Sequence, residues 1–518
     1  MCVKTHVFKL MKLVRILALS LALALLVACF AACGDSSSTP AETETKSGQG
    51  TVESGNESAT ETETGDQRLP SGLPEKESKD YDYTVRVLHW TVSETWIPWE
   101  EVVVEDYNGD ALNDGVYERG MELQEGWGIT LETEYQHTDT ITHMVETNVK
   151  TGDDAYQVVI QRGYQFQFLM TSDCFANLNS IPYVDTTQPW WNQDSIDTFT
   201  FGGTTLFAAS DMLLLDKGAT SAVIYNTEVA NNKGMSGSYF YDMVNDYTWT
   251  LETLAEAAEL AYTDVDGDDS PSGEDIFGAM GGDDPIHFML NAAGERFCVN
   301  TGDDNFLRYT FGSERTFEVV MDTLDLLLYQ PFYISSRHFD TSTLPKDVFT
   351  SNQVLFTISR VKDVNNYRVM ETDYGILPIP QYEESQHAYH CEISPHHDSL
   401  LAVPHPAVMS NEENAEALGV ALEGLAYISH YSVYPTLIDE VISLKSTRDQ
   451  ESRDMLKIIF ETRMYDIGII FDFGYFANTA LRITKTGNNN IASLYEEAKK
   501  PIQSDMDAVI EKLHEIVD

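Results

Sequence analysis

The sequence is poor in positive charge. Its 518 residues include 32 lysines and arginines against 83 aspartates and glutamates, so the formal net charge at pH 7 is −51. A surface of this sign repels nucleic acid and anionic lipid head groups, and neither is expected as an electrostatic partner. The imbalance favours solubility and says nothing about the fold.

Cysteine is scarce as well, with six in the sequence. This number is too small for a disulfide framework, so Cys174, Cys298 and Cys391 are expected to be small buried apolar residues. One pair among them could still form a bridge outside the cell, and the sequence leaves the pairing open.

The short motifs of several enzyme classes are missing. The sequence contains no G-x-S-x-G, no H-E-x-x-H, no P-loop and no G-x-G-x-x-G. A glycosidase, however, needs only two carboxylates about 5 to 9 Å apart, and the many acidic residues leave that possibility open. A surface-anchored hydrolase acting on glycans is therefore an alternative to a binding protein without catalytic residues.

The apolar run near the amino terminus, residues 16–28, is too short to span a bilayer comfortably, which takes about 20 apolar residues. It follows a basic segment and fits the core of a secretory signal peptide. LVAC, ending at Cys29, resembles the lipobox of bacterial lipoproteins, and FAAC, ending at Cys33, is a second match followed by a typical mature start. The sequence predicts a lipoprotein signal peptide over residues 1–28 and lipid attachment at Cys29 or Cys33, with an ordinary signal peptide as the alternative.

The next segment lacks aromatic residues from Gly34 to Asp80 and consists mainly of Ser, Thr, Glu, Gly and Pro. Such a composition cannot bury enough apolar surface to offset its ordering entropy, so the segment is predicted to be disordered. Residues 29–80 would then form a lipid-anchored linker. We expect the folded part on the extracellular face of the cell membrane.

Strand and helix patterns alternate from Tyr83 onwards. Their order predicts an α/β fold with a parallel sheet covered by helices. The roughly 435 residues of this part exceed what one hydrophobic core usually serves, so two lobes are expected. Strands are predicted at 83–90, 129–134 and 156–161, and helices at 112–123, 139–149, 251–261, 411–425 and 491–517, with Thr250 as an N-cap and an interruption at Pro501.

Several segments resemble one protein family. They are NDGVYERGMELQEGWGITLE, LFAASDM followed by AVIYNTEVA with its Tyr225-Asn226 pair, YTWTLETLAEAA, FTSNQVLFTISR, and YRVMETDYGILPIPQY with Pro378 and Pro380. Their order is similar to that of the extracellular solute-binding lipoproteins of bacterial ABC importers, in the carbohydrate-binding group. The resemblance covers nearly all of residues 83–518.

The resemblance implies a two-lobed fold of the type II periplasmic-binding-protein kind, in which each lobe is a mainly parallel sheet flanked by helices and a hinge joins the lobes. By analogy, lobe one spans 81–211 plus 377–430, and lobe two spans 212–376 plus 431–518. The implied function is capture of a sugar or oligosaccharide between the lobes without catalysis. The implied partners are the permease subunits of an ABC importer and, through the lipid, the membrane.

The resemblance does not identify the ligand. A protein of the same fold that binds a peptide or another solute is a further alternative. We expect a monomer that requires no cofactor.

Candidate ligand contacts follow from the chemistry of sugars, which bind by stacking on aromatic rings with planar polar groups at the rim. In open parallel sheets ligands sit beyond the carboxyl ends of strands. Residues at predicted strand ends or in aromatic loops are Trp90, Trp96, Trp99, Arg162, Tyr164, Trp190, Trp191 and Arg360. The resemblance adds Asp211, Tyr225 and Asn226.

Core packing is the alternative for each tryptophan, because large aromatic side chains are well buried on average. Trp90, Trp96 and Trp191 are better candidates for the cleft than Trp127 and Trp249, which lie beside regular elements.

Two groups of residues could bind metal. In TDVDGDDSPSGED, five side chains have the spacing of a calcium loop, which would be structural: Asp264, Asp266, Asp268, Ser270 and Asp275. Position six is Asp instead of Gly and position twelve is Asp instead of Glu, so a solvated acidic loop is the alternative. Zinc or copper is conceivable at the second group, but its spacing fits no common ligand pattern, and loop histidines without metal are expected. This group contains His387, His390, His396, His397, His405 and Cys391.

Lipid attachment at Cys29 or Cys33 predicts that the protein is found in the membrane fraction. Replacing both cysteines by Ala removes both predicted acceptor thiols and should release the protein. Fractionation followed by immunoblotting measures this, and Cys174→Ala is a matched control that should stay in the membrane. If the double variant stays unprocessed and membrane-bound, the apolar run is a transmembrane anchor and the lipoprotein interpretation is wrong.

Overall fold

A computed structural model describes residues 72–91, 98–267, 272, 274–282, 284–335, 345–367, 370–409, 411–443, 450–486 and 490–517. The predicted signal peptide, both candidate lipidation cysteines and most of the predicted linker lie outside these ranges. Those expectations therefore stay predictions. No helix in the described ranges is long and apolar enough to cross a membrane.

In these ranges the strands form two principal sheets and three two-stranded ribbons. The strands are β1 (Tyr83–Thr91), β2 (Ile129–His137), β3 (Val158–Gln161), β4 (Thr200–Phe201), β5 (Thr204–Thr205), β6 (Ser221–Asn226), β7 (Phe277–Gly281), β8 (Cys298–Asn300), β9 (Leu307–Tyr309), β10 (Tyr333–Ser335), β11 (Val354–Arg360), β12 (Tyr374–Leu377), β13 (Cys391–Glu392), β14 (Leu400–Ala402) and β15 (Arg463–Met464).

Helices cover the sheets and make up most of the carboxyl-terminal part. They are α1 (Ala111–Trp127), α2 (Thr138–Thr151), α3 (Gly163–Met170), α4 (Gln193–Phe199), α5 (Leu215–Gly218), α6 (Thr227–Asn232), α7 (Tyr239–Asn245), α8 (Leu251–Ala261), α9 (Pro285–Ala292), α10 (Glu314–Thr323), α11 (Pro345–Thr350), α12 (His405–Met409), α13 (Glu412–Tyr431), α14 (Val433–Ser443), α15 (Gln450–Glu461), α16 (Ile467–Phe471), α17 (Phe476–Thr486) and α18 (Ile491–Val517).

The first sheet has the strand order β14–β3–β1–β2. β1 pairs in parallel with β2 and β3, and β14 pairs antiparallel with β3. All four residues of β3 are buried, as expected for a strand covered on both faces. The predicted alternation of strand and helix over this part of the chain is confirmed.

The second sheet has the strand order β10–β7–β11–β6–β12. β7 pairs in parallel with β10 and β11, whereas β6 pairs antiparallel with both β11 and β12. Only β6 therefore runs against the other four strands of this sheet. The two-lobed α/β fold with a mainly parallel sheet in each lobe is confirmed, with one reversed strand in each sheet.

Two segments that connect the sheets lie side by side. We call residues 206–220 the outgoing crossing and residues 391–399 the return crossing. Thr220 and Ile393 form an antiparallel bridge, and the Ser394 backbone N–H donates to the Ala219 carbonyl oxygen at 3.1 Å. The predicted lobe boundaries near these crossings stay a prediction.

A buried carboxylate fastens both crossings to the first sheet. Glu101 Oε2 accepts the backbone N–H groups of Leu214 and Leu215 at 2.7 and 2.9 Å. Its Oε1 accepts Ser399 Oγ at 2.6 Å and lies 2.7 Å from His89 Nε2. Burial raises the pKa of Glu101, but the hydrogen bonds from His89, Ser399 and the backbone outweigh burial and hold the pKa below its ordinary value.

The helix predictions hold apart from one interruption. α8 begins after Thr250, whose side chain accepts the Thr253 backbone N–H at 3.2 Å, as expected of an N-cap. The expected break at Pro501 is wrong, because α18 continues through this residue. Proline removes only one backbone hydrogen bond there, and Ile502 and Met506 bury apolar side chains along the same helix.

Candidate ligand-binding site

Side chains from both sheets meet at the carboxyl ends of strands. Arg162 follows β3, Asp284 lies three residues beyond β7, and Arg360 is the last residue of β11. His396 on the return crossing contacts Arg162 and lies in the electrostatic field of Arg360. Because ligands of open α/β sheets bind beyond these strand ends, we take this group and its neighbours as the candidate site.

Arg162 is held where α3 begins. Its guanidinium carbon lies 5.8 Å from the ring centroid of Trp90, and its Nη1 donates to the His396 carbonyl oxygen at 3.4 Å. Burial lowers the pKa of Arg162. In the described part of the chain, its Nε is buried without a hydrogen-bond partner. The carboxyl groups of Asp139 and Asp398 lie close enough to oppose the effect of burial on the pKa of Arg162.

The turn from β3 into α3 packs tightly against the return crossing. The Tyr164 ring centroid lies 4.5 Å from that of His396, and the Tyr164 N–H donates to the Pro395 carbonyl oxygen at 2.9 Å. The Gly163 N–H donates to Asp398 Oδ1 at 2.8 Å. A Cβ atom at Gly163 would lie 3.1 Å from Asp398 Oδ2 and 3.3 Å from Pro395 Cβ, so a glycine suits this close approach.

His396 supplies a neutral polar ring. Burial, together with the charges of Arg162 and Arg360, lowers the pKa of His396 to about 4. At pH 7 one ring nitrogen therefore donates a hydrogen bond and the other accepts one.

An ion pair joins β11 to the start of α9. Arg360 Nη2 lies 2.9 Å from Asp284 Oδ2, with 13% of the arginine side chain and 40% of the aspartate side chain exposed. The guanidinium carbon is 5.5 Å from the ring centroid of Phe288. Burial raises the pKa of Asp284, but Arg360 outweighs burial and holds the pKa below its ordinary value. Asp284 is thus an ionised hydrogen-bond acceptor at the edge of the site.

A third cation lies next along the chain. Lys362 Nζ lies 2.9 Å from His397 Nδ1. Burial lowers the pKa of Lys362 to about 8, opposed by the charge of Asp363 and assisted by that of Arg360, so the amine is mainly charged at pH 7. Burial also lowers the pKa of His397 well below its ordinary value, which leaves this imidazole neutral.

Two carboxyl groups behind the site carry little negative charge. Burial raises the pKa of Asp398 to about 8 and raises the pKa of Glu392 well above its ordinary value. Both side chains are buried. The carboxylates that act most strongly on Arg360 are those of Asp284 and Asp363.

The structure brings together three of the predicted contacts, Arg162, Tyr164 and Arg360. Trp90 lies beneath them with no exposed surface, and its Nε1 donates to Ser399 Oγ at 3.1 Å. Its ring supports Arg162 from within the core. A direct contact between Trp90 and a ligand stays a prediction.

Trp190 and Trp191 are interior residues, contrary to the expectation of an aromatic loop in the cleft. They are 0% and 1% exposed. Their indole N–H groups donate to the two carboxylate oxygens of Glu423 at 2.7 and 3.0 Å. Both rings have thus used their polar atoms in the core, and neither offers a face to a ligand in this conformation.

Tyr225 and Asn226 lie at the opposite edge of the second sheet from Arg360. Because β6 is antiparallel to β11, Ser221 pairs with Arg360 and Tyr225 pairs with Phe356. Four residues along a strand separate the two ends by roughly 13 Å. Asn226 caps α6 by accepting the N–H groups that follow it, and a ligand contact by this pair stays a prediction.

Asp211 and Trp99 are also interior. Asp211 lies 3.1 Å from Lys217 Nζ and 2.6 Å from His430 Nδ1, so it belongs to a buried ionic cluster of the outgoing crossing. Trp99 is buried against Gly218, where a Cβ atom would lie 2.7 Å from its ring. Their predicted ligand contacts are therefore replaced by packing in this conformation.

The structure describes three of the five predicted calcium ligands. Trp96, Asp268 and Ser270 lie outside the described ranges. Carboxylate oxygens of Asp264, Asp266 and Asp275 lie within 4.8 Å of one another. The Asp275 oxygens also accept the backbone N–H groups of Val265 and Ser272 at 2.9 and 2.7 Å. Calcium binding stays a prediction.

Sequence reasoning missed five residues of the site. They are Asp284, Phe288, Lys362, His396 and His397. The strand-end rule could have found Asp284, since FGAMG is followed at once by GDDP. The histidines carried no such signal, because β14 runs antiparallel to β3 and the residues that precede it reach the site from the other direction.

A separate cavity of about 840 Å³ shares none of these site residues. Its lining includes Tyr247 and Tyr389, whose rings stack with centroids 5.8 Å apart, and the charged residues Asp194 and Arg296. It does not lie at the strand ends that converge on His396.

The burial of Glu423 predicts a pH-dependent stability. Burial raises the pKa of Glu423 to about 7, although hydrogen bonds from Trp191, Asp185 and Trp190 oppose the shift. The folded protein thus holds this proton more tightly than the unfolded chain does. The stabilisation is fully present below about pH 4.5 and is lost as pH rises through 7, amounting to about 3 kcal/mol at most.

Glu423→Gln removes this ionisation, so its free energy of unfolding should fall less between pH 5 and pH 8 than that of the unsubstituted protein. Urea unfolding at both pH values measures the difference. Glu413→Gln, an exposed position on the same helix, is the control and should behave like the parent. An unchanged pH dependence in Glu423→Gln would contradict the assignment.

Solved structures with the same fold include three that align over almost their whole length. A cyclic α-maltosyl-1,6-maltose-binding protein from Arthrobacter globiformis has 11% identity and a TM-score of 0.53, covering 82% of this chain and 99% of that one. A cyclo/maltodextrin-binding protein complexed with maltotetraose has 12% identity and a TM-score of 0.52, covering 83% and 98%. UspC from M. tuberculosis has 14% identity and a TM-score of 0.52, covering 82% and 100%.

Neither a protein-family model nor a curated protein matches the sequence. At these identities the three structures show the fold alone. The chain is thus similar in its two-lobed α/β fold to two proteins named for the saccharides they bind and to UspC, and the resemblance drawn from the sequence is confirmed at the level of the fold.

Proposed function

We propose that this protein is the substrate-binding component of a bacterial ABC importer and captures a sugar or oligosaccharide between its two lobes without catalysis. The observation that carries the proposal is that residues from both sheets surround His396. Arg162 and Tyr164 follow a strand of the first sheet. Asp284 and Arg360 lie at the strand ends of the second sheet. A ligand held there contacts both lobes. Two similar structures are named as maltodextrin- or maltosyl-maltose-binding proteins, which supports a saccharide ligand.

The chemistry of the site suits a saccharide. The half-buried ring of Tyr164 offers an apolar face for sugar C–H groups. The carboxylate of Asp284 accepts hydrogen bonds from hydroxyl groups, the guanidinium of Arg162 donates them, and the neutral imidazole of His396 does both. A few convergent polar groups beside an aromatic ring are typical of small-molecule sites.

The electrostatics favour binding over hydrolysis. A glycosidase needs one carboxylic acid whose raised pKa lets it protonate the leaving group. The carboxyl groups with raised pKa behind the site, Asp398 and Glu392, are buried and do not face a ligand. The more exposed carboxylate is Asp284, and Arg360 holds its pKa below the ordinary value. Asp284 is therefore suited to accepting hydrogen bonds and poorly suited to general-acid catalysis.

The predicted lipid anchor and linker extend the proposal to the cell surface. A lipid at Cys29 or Cys33 would hold the folded part on the extracellular face of the membrane, where ligand-loaded protein meets the permease subunits. We propose that it works as a monomer, since one chain supplies both sides of the site.

Calorimetric titration of the purified protein with maltotetraose and other oligosaccharides tests the binding role. We expect saturable binding to one site per chain. Tyr164→Ala should weaken it by about ten- to a hundredfold, equivalent to about 1 to 3 kcal/mol for a buried apolar contact. Tyr107→Ala, which removes an exposed tyrosine elsewhere, should bind like the parent.

The same incubations separate the alternatives. Release of shorter saccharides would establish a hydrolase and overturn the proposal. Binding of peptides but no saccharide would keep the fold and change the ligand. Equal affinities in Tyr164→Ala and the parent would place the ligand elsewhere.

We also propose that Asp264, Asp266, Asp268, Ser270 and Asp275 bind a structural calcium ion. Calcium at micromolar to millimolar concentration should then raise the melting temperature by mass action. Asp266→Ala should abolish the rise without changing saccharide affinity, and Asp303→Ala, an exposed aspartate of another loop, should not. If calcium does not stabilise the parent protein, the segment is a solvated acidic loop.

A further inference from the structure

A large apolar side chain lies exposed beside the candidate site. Phe168 is 51% exposed and belongs to α3, which begins just after β3. A single exposed apolar side chain is common on a soluble protein and needs no function by itself. Phe168 differs because its ring contacts that of Tyr164, with centroids 6.2 Å apart, and the Tyr164 ring contacts His396. The three rings therefore lead from the return crossing to an exposed position on α3.

The position of Phe168 on its helix makes the ring available to a ligand. Tyr164 and Phe168 are four residues apart, so they lie on the same face of α3. Phe166, Leu169 and Met170 form the core side of this helix and are at most 1% exposed. Packing in the core thus holds α3 in place without using the face that carries Tyr164 and Phe168.

A carboxylate is fixed at the edge of these rings. Asp139, in the first turn of α2, is 73% exposed. Its Oδ1 accepts Gln165 Nε2 of α3 at 3.1 Å, and its charge acts on Arg162. The carboxylate is therefore held by α3 and still open to hydroxyl groups, which donate hydrogen bonds to it. Aromatic faces with a polar group at their edge suit a sugar, which has an apolar face and a rim of hydroxyls.

The two rings point in different directions, which bears on the size of the ligand. The planes of Tyr164 and Phe168 are 89° apart. A sugar ring that lies flat on one of them cannot lie flat on the other, so covering both faces takes two sugar rings. We propose that the ligand is an oligosaccharide of at least two residues, with one sugar ring on Tyr164 and the next on Phe168. This inference rests on the proposed function and names the ligand class of the same site.

Calorimetry with glucose, maltose and maltotetraose tests the proposal, with competition against maltotetraose to measure the weak binding of glucose. We expect maltose to bind at least roughly tenfold more tightly than glucose, because the second sugar ring covers the exposed part of Phe168. Phe168→Ala should weaken maltose and maltotetraose by roughly tenfold and leave glucose unchanged. Tyr164→Ala should weaken all three, since every ligand uses that ring.

Three further measurements separate stacking from a general effect of substitution. Phe168→Trp keeps a flat ring and should retain the advantage of maltose over glucose. Leu260→Ala removes an exposed apolar side chain of α8 and should bind all three ligands like the parent. Melting temperatures close to that of the parent show that the variants are folded, as expected for substitutions at exposed positions.

The outcomes that overturn the inference differ from those that overturn the proposed function. Equal affinities for glucose and maltose would show a site for one sugar residue and leave the proposed function standing. Maltose binding to Phe168→Ala as tightly as to the parent would place the second residue elsewhere. If a wider panel identifies another saccharide series, the same comparison of lengths applies to it. Failure of every saccharide to bind would remove the proposed function together with the inference.

Discussion

The site depends on the return crossing, residues 391–399, being hydrogen-bonded both to the turn after β3 and to the outgoing crossing. Its Pro395 and Asp398 accept backbone N–H groups from the turn after β3, while Ser394 donates to Ala219 of the outgoing crossing. On the other side, the Val361 N–H donates to the Thr220 carbonyl oxygen, which brings the end of β11 to the same place. Because these bonds lie in the interior, breaking one leaves a buried polar group unpaired. The positions of Arg162 and Arg360 therefore follow from the crossing.

Charge is distributed unevenly in the molecule. The buried carboxylate of Glu101 stays ionised because four hydrogen bonds satisfy it, whereas Asp398, with one of its oxygens unpartnered in the described ranges, has its pKa raised to about 8. One acid stabilises the crossings as an anion, and the other lines the back of the site as a neutral group.

Local patterns in the sequence predicted most of the fold and part of the site. Alternating apolar residues and the Thr250 cap specify strands and helices through interactions between near neighbours. These elements could therefore be predicted from the local sequence. The direction of β6 depends on pairing with β11, more than a hundred residues later in the chain, and no local pattern reports it. The separation of Tyr225 and Arg360 at opposite edges of the sheet could therefore not be predicted from the sequence. Likewise, the indole N–H of Trp190 donates to Glu423, 233 residues away in sequence, and no local pattern predicts this buried contact.

The central claim is that ligand binds beyond the strand ends, where both sheets meet the return crossing. A crystal structure of the protein with a bound oligosaccharide tests this directly. We predict a sugar residue against the Tyr164 ring, with ligand oxygens within hydrogen-bond distance of Arg162 and of Asp284, so that both lobes contact the ligand. A saccharide in the cavity lined by Tyr247 and Tyr389, with the strand-end site free of ligand, would contradict the account.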